Sequence, residues 1–370
     1  AELLDTSSRT FDIRFDLEIE NGSASQQDVV FQLDGPTGTP SEGWWYQNKI
    51  HGRSSAIGYV AGARDIISSS VAEPFKFFGG PEIVQNQLDD EPKYLRLFPI
   101  NEGPEYREVN YIGVDTQYFN TSLLPSGDKP FFVYSALAMT TGVEIPEDNG
   151  RLQRLVDCSF KLFSDRTPIA PQSSYRQSFE IFTGPKEPGL LKQYGLQDAR
   201  TFGWFAWFSK PLCWLLAVFY TLTFQIGYGI PIILLTILVR CMMIPVSRKA
   251  ALNAQMMQYL QPQIKEIADK YKDSMDKRSA AQRELFKKYN YNPFGGCLMM
   301  FFQLPIFIGL YRGLSVDIAL RDQPLIPGIS WCSNLAAPDQ FLYWGNWSWM
   351  PGFLVDKTGW LGPYLNILPI

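Results

Sequence analysis

Catalytic equipment is scarce in this sequence. Its 370 residues hold one histidine, His51, so no site needing two imidazoles can be built. Five cysteines (Cys158, Cys213, Cys241, Cys297 and Cys332) are scattered without a CxxC pair, and neither a zinc site nor a disulfide framework follows. No GxSxG, HExxH, phosphate-binding or dinucleotide-binding glycine pattern occurs. An ordinary hydrolase, metalloprotease or nucleotide enzyme is therefore poorly supported. No catalytic residue is nominated, no metal or other cofactor is expected, and no nucleic-acid partner is expected. The opening "AELLDTSSRT" has neither an initiator Met nor a basic segment followed by an apolar one, so no signal peptide is expected there. The last residues, "GPYLNILPI", read as the start of an apolar helix, and both ends read as cut.

Missing charge is the more informative absence. The 29 residues from Pro211 to Val239 carry none, which is too long a run for one helix across about 30 Å of hydrocarbon. "GYGIP" at 227 to 231 divides it into a predicted surface helix over 210 to 226 and a predicted span over 230 to 247. A second uncharged run, Tyr289 to Tyr311, reads as another span. Core helices of a soluble domain are the alternative reading of these runs. Between the spans, residues 248 to 288 hold 10 Lys/Arg against 5 Asp/Glu. Leu260, Ile264, Ile267 and Tyr271 fall at helical spacing, as do Ala281, Leu285 and Tyr289, so a basic helical hairpin is predicted. A short basic loop stays in the cytoplasm, which puts residues 1 to 209 outside.

The first half has a different pattern. Residues 1 to 200 hold 18 Lys/Arg against 28 Asp/Glu, whereas residues 201 to 370 hold 15 against 9. In "FDIRFDLEIEN", Phe11, Ile13, Phe15, Leu17 and Ile19 alternate with charged residues, the period of a half-buried strand. "DVVFQL", "KYLRLFPI", "FFVYSALA" and "YRQSFEIFTG" follow, separated by turn-rich stretches such as "DGPTGTPSEG" and "PSGDKP". The expected fold is a multi-domain membrane protein: an extracytoplasmic antiparallel β-sandwich, then an α-helical transmembrane core with a cytoplasmic helical hairpin. Its expected divisions are the sandwich at 1–190, a linker and interfacial amphipathic helix at 191–229, and a span at 230–247. The hairpin follows at 248–292, a second span at 293–313, a periplasmic segment at 314–360, and the start of another transmembrane helix at 361–370.

Five segments carry a family resemblance: "KPLCWLL" (210 to 216), "LTILVR" (235 to 240), "YLQPQIKEI" (259 to 267), "NPFGGC" (292 to 297) and "FQLPIFIGLY" (302 to 311). In this order and spacing, extended by "TGPKEPGLL" (183 to 191), the chain resembles the YidC membrane protein insertases, related to the Oxa and Alb proteins of organelles. It departs from that pattern at Leu304, where Met is usual, and at Met299, where Pro is common. The resemblance implies a multi-pass protein of the bacterial inner membrane with a large periplasmic domain, seen here without its first span and its last core spans. It implies nascent membrane proteins as substrates, with the Sec translocon, ribosome, targeting factors and membrane lipids as partners. The implied mechanism involves no covalent chemistry. A hydrophilic tail enters a groove open to the cytoplasm while the hydrophobic segment slides into lipid.

By that resemblance Arg240 faces the groove, with Thr236 one turn earlier on the same face and Gln303 on the second span. Leu304 and Pro305 are candidates for substrate or helix contacts, and Lys265, Lys270, Lys272, Lys277 and Arg278 for contacts made by the hairpin. Arginine at the centre of a membrane helix costs about 2.5 to 3.5 kcal/mol on insertion scales, a penalty that a hydrated groove removes. Alternatives stay open. Arg240 can snorkel to the cytoplasmic surface, Gln303 and Pro305 can serve helix packing, and the hairpin can simply attract anionic headgroups. Gly295, Gly296 and Cys297 read as a tight entry into the span. Trp44, Trp45 and Tyr46 read as sandwich core or as a sugar-binding surface, and Asn21, Asn120 and Asn346 as glycan acceptors only in a secretory setting. A transporter, or an anchored receptor whose sandwich binds a ligand, is the rival function.

Overall fold

The computed structural model describes residues 11–41, 61–88, 95–98, 102–127, 129–141, 150–202, 206–224, 226–272, 274–289, 291, 298–326, 328, 332, 334–337, 339, 341–344, 351 and 364–365. The chain divides into two compact units. One comprises 1–204 with 314–323 and 329–370; the other comprises 205–313 with 324–328.

The first unit is β-rich. Its strands are β1 (Asp12–Asn21), β2 (Gln27–Val29), β3 (Gln32–Asp34), β4 (Asp65–Ser70), β5 (Lys76–Phe78), β6 (Leu95–Arg96) and β7 (Val109–Asp115). They are followed by β8 (Phe119–Ser126), β9 (Val133–Thr140), β10 (Cys158–Ser164), β11 (Thr167–Ile169) and β12 (Ser173–Pro185). Helix α1 (Gly80–Leu88) follows β5, and the single turn α2 (Gly150–Gln153) precedes β10. One sheet has the order β1-β12-β8-β7-β4-β5 and the other β3-β10-β9-β6, with every pairing antiparallel. Ile66, Ile112, Val114 and Phe179 of the larger sheet pack against Val133, Ala136, Phe160 and Leu162 of the smaller one. Two such sheets face to face make the expected sandwich.

The larger sheet is covered on both faces. Its outer face buries Ile67, Tyr111 and Phe182 under Leu191, Leu196 and Ala199, which lie on α3 (Pro188–Gln193) and just beyond it. This double cover explains why all six residues of β4 are buried. The compact β unit thus runs past residue 190, the boundary expected from sequence.

Local differences have physical causes. "DVVFQL" is divided: β2 pairs with β11 and β3 with β10, so the two halves join different sheets. Of "KYLRLFPI", only Leu95–Arg96 is strand among the described residues. Helix α1 was not foreseen, although Pro81 and Glu82 in its first turn are helix-start signals. Tyr364 and Leu365, placed by sequence in the start of an apolar helix, form a short strand, β14 (Tyr364–Leu365), against β13 (Leu342–Tyr343). The pairing brings the Tyr343 and Tyr364 rings to 5.0 Å.

A charged cluster is sealed inside the β unit. Lys186 Nζ sits 3.0 Å from Asp115 Oδ2 and donates to Thr116 O at 2.8 Å. Asn120 donates to Asp115 Oδ1 at 3.1 Å and accepts from Ser122 Oγ at 2.6 Å. In the same unit, Arg200 pairs with Asp317 at 3.4 Å.

The second unit is helical: α4 (Ala206–Leu222), α5 (Gly229–Lys270), α6 (Met275–Lys288) and α7 (Leu298–Ser315). Its 42-residue α5 is long and apolar enough to cross a membrane. At 1.5 Å per residue it extends about 63 Å, roughly twice the hydrocarbon thickness, so the expected span and first hairpin arm form one continuous helix.

Candidate functional site

Two helices of the second unit frame a cavity of about 360 Å3. From α5 it is lined by Leu235, Thr236, Val239, Arg240, Met243 and Ser247, and from α7 by Gln303, Ile306, Phe307 and Leu310. The spacings are helical. Thr236, Arg240, Met243 and Ser247 recur at four, three and four residues along α5, while Gln303, Ile306, Phe307 and Leu310 keep to one face of α7. Thr236, Arg240 and Gln303, chosen from sequence, thus line one cavity. Met243, Ser247 and the α7 aliphatics were not singled out, although extending the helical period from Arg240 and Gln303 reaches them.

The polar groups divide into donors and acceptors. Thr236 Oγ1 donates to Ile232 O at 2.8 Å, and Ser247 Oγ to Met243 O at 2.9 Å. Each hydroxyl proton is therefore used within α5, leaving oxygen lone pairs as acceptors. Arg240 is exposed, and no carboxylate pairs with it among the described residues. A guanidinium has five donors and no acceptor and stays protonated at any physiological pH. The remaining lining is almost wholly apolar. The cavity offers a fixed cation to an entering anion.

The other nominated residues are spread more widely. Leu304 is exposed and Pro305 half-buried on α7, and neither lines the cavity. Pro305 has no N–H to give the helix ladder, as also holds for Pro211 in α4 and for Pro245 and Pro262 in α5. On the hairpin, Lys265, Lys270, Lys272 and Lys277 are exposed and Arg278 is half-buried. Lys272 pairs with Asp269 at 3.4 Å, and Lys270 lies 5.6 Å from the Tyr271 ring. Leu260 is fully buried and Ile264 and Ile267 are half-buried, while Tyr259 meets Tyr289 edge-on at 6.3 Å across the hairpin.

Asn21 and Asn120 are poor acceptors for any glycan. Asn21 donates to Ser25 O and Ile169 O at 2.9 Å, and Asn120 is completely buried. His51, Trp44, Trp45, Tyr46, Gly295, Gly296, Cys297 and Asn346 lie outside the described residues.

On its other side α7 approaches α4 closely. Ser209 Oγ donates to Gly309 O at 2.7 Å. A Cβ at Gly309 would stand 2.8 Å from Phe208 Cβ, so that position has no room for a side chain, while one at Gly313 would stand 2.8 Å from Cys213 Sγ, the end of a side chain that can turn aside or bond to it.

Comparison with known proteins also divides the chain in two, at a boundary within α4. A family model described as "60Kd inner membrane protein" matches residues 218–370, and one described as "YidC periplasmic domain" matches residues 73–215. The chain belongs to the YidC family. A membrane protein insertase YidC of Oleidesulfovibrio alaskensis is 39% identical over 180 residues, covering 47% of this chain and 33% of that protein. One from Syntrophus aciditrophicus is 31% identical over 276 residues, covering 74% of this chain and 46% of that protein. One from Geobacter metallireducens is 30% identical over 266 residues, covering 71% and 45%. The matched part of the chain thus spans between a third and a half of these relatives' length. Family membership places the chain in the inner membrane with its β unit in the periplasm.

Proposed function

We propose that this protein is a membrane protein insertase without covalent chemistry, acting on nascent membrane proteins. The observation that carries the reading is Arg240, a permanent cation held in a cavity between apolar helices without a carboxylate partner among the described residues. A hydrophilic tail entering the cavity finds Arg240 for its acidic groups and the Thr236 and Ser247 oxygens for its N–H groups. Gln303 supplies both donor and acceptor. Water in the cavity shortens the hydrocarbon that the tail must cross, and the adjoining hydrophobic segment passes directly into lipid.

The basic hairpin of α5 and α6 lies in the cytoplasm in this reading, where Lys265, Lys270, Lys272, Lys277 and Arg278 meet anionic headgroups, ribosomes or targeting factors. The Sec translocon is a further partner that relatedness suggests. A receptor anchored by these helices would have no use for an arginine in such a cavity, which favours insertion over the rival reading.

The test is site-directed crosslinking from position 240 during synthesis of a small membrane protein with an acidic translocated tail. Crosslinks to the tail that appear before its translocation and vanish afterwards are expected. Their complete absence, with crosslinks from an exposed lipid-facing position such as Met242 intact, would remove the proposal.

A further inference from the structure

We propose that α4 and α7 move as one body during insertion, so that the cavity widens by displacement of α5 and not by parting of α4 from α7. This rests on the insertase reading and adds to it the moving part.

The two sides of α7 differ in how they can yield. Toward α4, Gly309 and Gly313 of α7 lie directly against Phe208 Cβ, the Ser209 backbone and Cys213 Sγ. Ser209 is fully buried, and its hydroxyl is bonded to the Gly309 carbonyl at 2.7 Å. Close backbone approach at the glycines leaves α7 no side chain at these two positions that could change rotamer and follow a separation. Parting this seam would break the hydrogen bond and forfeit these close contacts.

Toward α5, the facing groups are Leu235, Val239, Met243, Ile306, Phe307 and Leu310, with space already between them. Such side chains adapt by rotation, methionine most readily. α5 is also held unevenly. Near its start the Tyr228 ring stacks on Tyr220 at 4.2 Å, Gly229 N donates to Leu325 O at 3.1 Å, and Leu235 is buried. Further along, Val239, Arg240, Met243 and Ser247 face the cavity. The fixed start, with space beside the helix beyond it, makes α5 a lever pivoting near Tyr228, with Met243 and Ser247 at the side that swings.

The native Cys213 supplies the test. With Cys158, Cys241, Cys297 and Cys332 changed to Ser, Gly313→Cys places a thiol within bonding reach of Cys213. A mild oxidant removes two electrons and two protons to close the disulfide. In membranes, crosslinking to near completion is expected both with and without a stalled nascent chain, and the oxidised protein should insert a test substrate within twofold of its reduced form. Loss of crosslinking when substrate is present, or loss of insertion on oxidation that reduction restores, would overturn the proposal. If reduced and unmodified proteins both fail to insert the substrate, the insertase reading falls, and crosslinking with and without the stalled chain still decides whether the seam opens. Should Gly313→Cys fail to accumulate, spin labels at Trp207→Cys and Tyr311→Cys, both exposed, provide a second measurement. One narrow distance distribution unchanged by substrate is expected, and a second distance population would overturn the idea.

Discussion

The two compact units distribute the same residue types in opposite ways. In the β unit Ile66, Leu162, Phe179 and Phe182 are completely buried, whereas in the helical unit Ile233, Ile237, Met242 and Phe307 are each more than half exposed. Charge is reversed as well. Lys186 is buried against Asp115, while Arg240 is exposed without a carboxylate partner among the described residues. Apolar exposure on this scale is unfavourable in water and costs nothing in lipid. The units are built for different solvents, and a substitution should be judged against the solvent of its own unit.

The largest expected effect comes from breaking the buried charge pair. Lys186→Met leaves the Asp115 carboxylate sealed in the β unit without its cation, which costs about 3 to 5 kcal/mol. For a domain of this size that lowers the melting temperature by roughly 10 °C. Adding Asp115→Asn should recover much of the loss, because no uncompensated charge is then buried. A single variant that melts with the parent would mean that the site admits water and that Lys186 is not a buried partner at all.

Deleting an aromatic ring should separate the units more directly. Phe179 meets Phe131 edge-on at 5.1 Å in the sandwich core, so Phe179→Ala should cost about 3 to 5 kcal/mol. Phe307→Ala, on an exposed position of α7, should change stability by no more than about 0.5 kcal/mol in micelles. Urea unfolding followed separately for β and helical signals checks both. Comparable losses at the two sites would mean that the Phe307 ring is packed firmly against protein and does not border an open cavity.

Function should respond where stability does not. Arg240→Ala is expected to reduce insertion of substrates with acidic translocated tails by about tenfold, equivalent to about 1.4 kcal/mol, and to spare those with neutral tails. Arg240→Lys should retain most activity because the charge survives without the planar fork. Thr236→Lys added to Arg240→Ala should restore part of it, since both positions line the cavity. Protease protection of the tail at equal expression is the readout. Full tolerance of Ala would reduce Arg240 to a snorkelling anchor, and equal failure of Ala and Lys would point to a specific guanidinium hydrogen bond.

Legibility in the sequence followed the same division. The alternation of β1 was readable because its outer face is solvated: its ten residues pair with β12 without a register shift. β4, "DIISSS", is buried on both faces and has no alternation to read, so it was missed. The split of "DVVFQL" depends on β10 and β11, more than 120 residues away, and no local pattern encodes it. In the helical unit the missing charges reveal the apolar runs, but not that α5 continues unbroken through Ser247, because the charges beginning at Arg248 mark the end of the apolar run and carry no sign of whether the helix stops there. The polar cavity residues stand out within apolar runs. The seam residues Ser209, Cys213, Gly309 and Gly313 are small and carry no such signal until the helices are placed side by side.

The smallest effect concerns pH and should be confined to the β unit. Burial raises the Glu82 carboxyl above its ordinary 4.5, and its Oε2 is buried without a hydrogen-bond partner among the described residues. The folded state therefore keeps the Glu82 proton to a higher pH than the unfolded chain does. Between 4.5 and the raised value the native state binds more protons, so this residue's contribution to stability falls as pH rises. Asp16 and Glu18 act in the opposite sense: hydrogen bonds from Ser178 and Arg176 lower their carboxyls, and the stability they confer is lost on acidification. Those contributions are common to the parent and to Glu82→Gln, and they cancel in the difference. Glu82→Gln should match the parent near pH 4 and exceed it by less than about 1 kcal/mol at pH 7, read as a shift in urea midpoint at constant slope. A difference of the same size at both pH values would assign the effect to the amide's own hydrogen bonds. A helical signal that shifted with it would couple the two units, contrary to their opposite solvation.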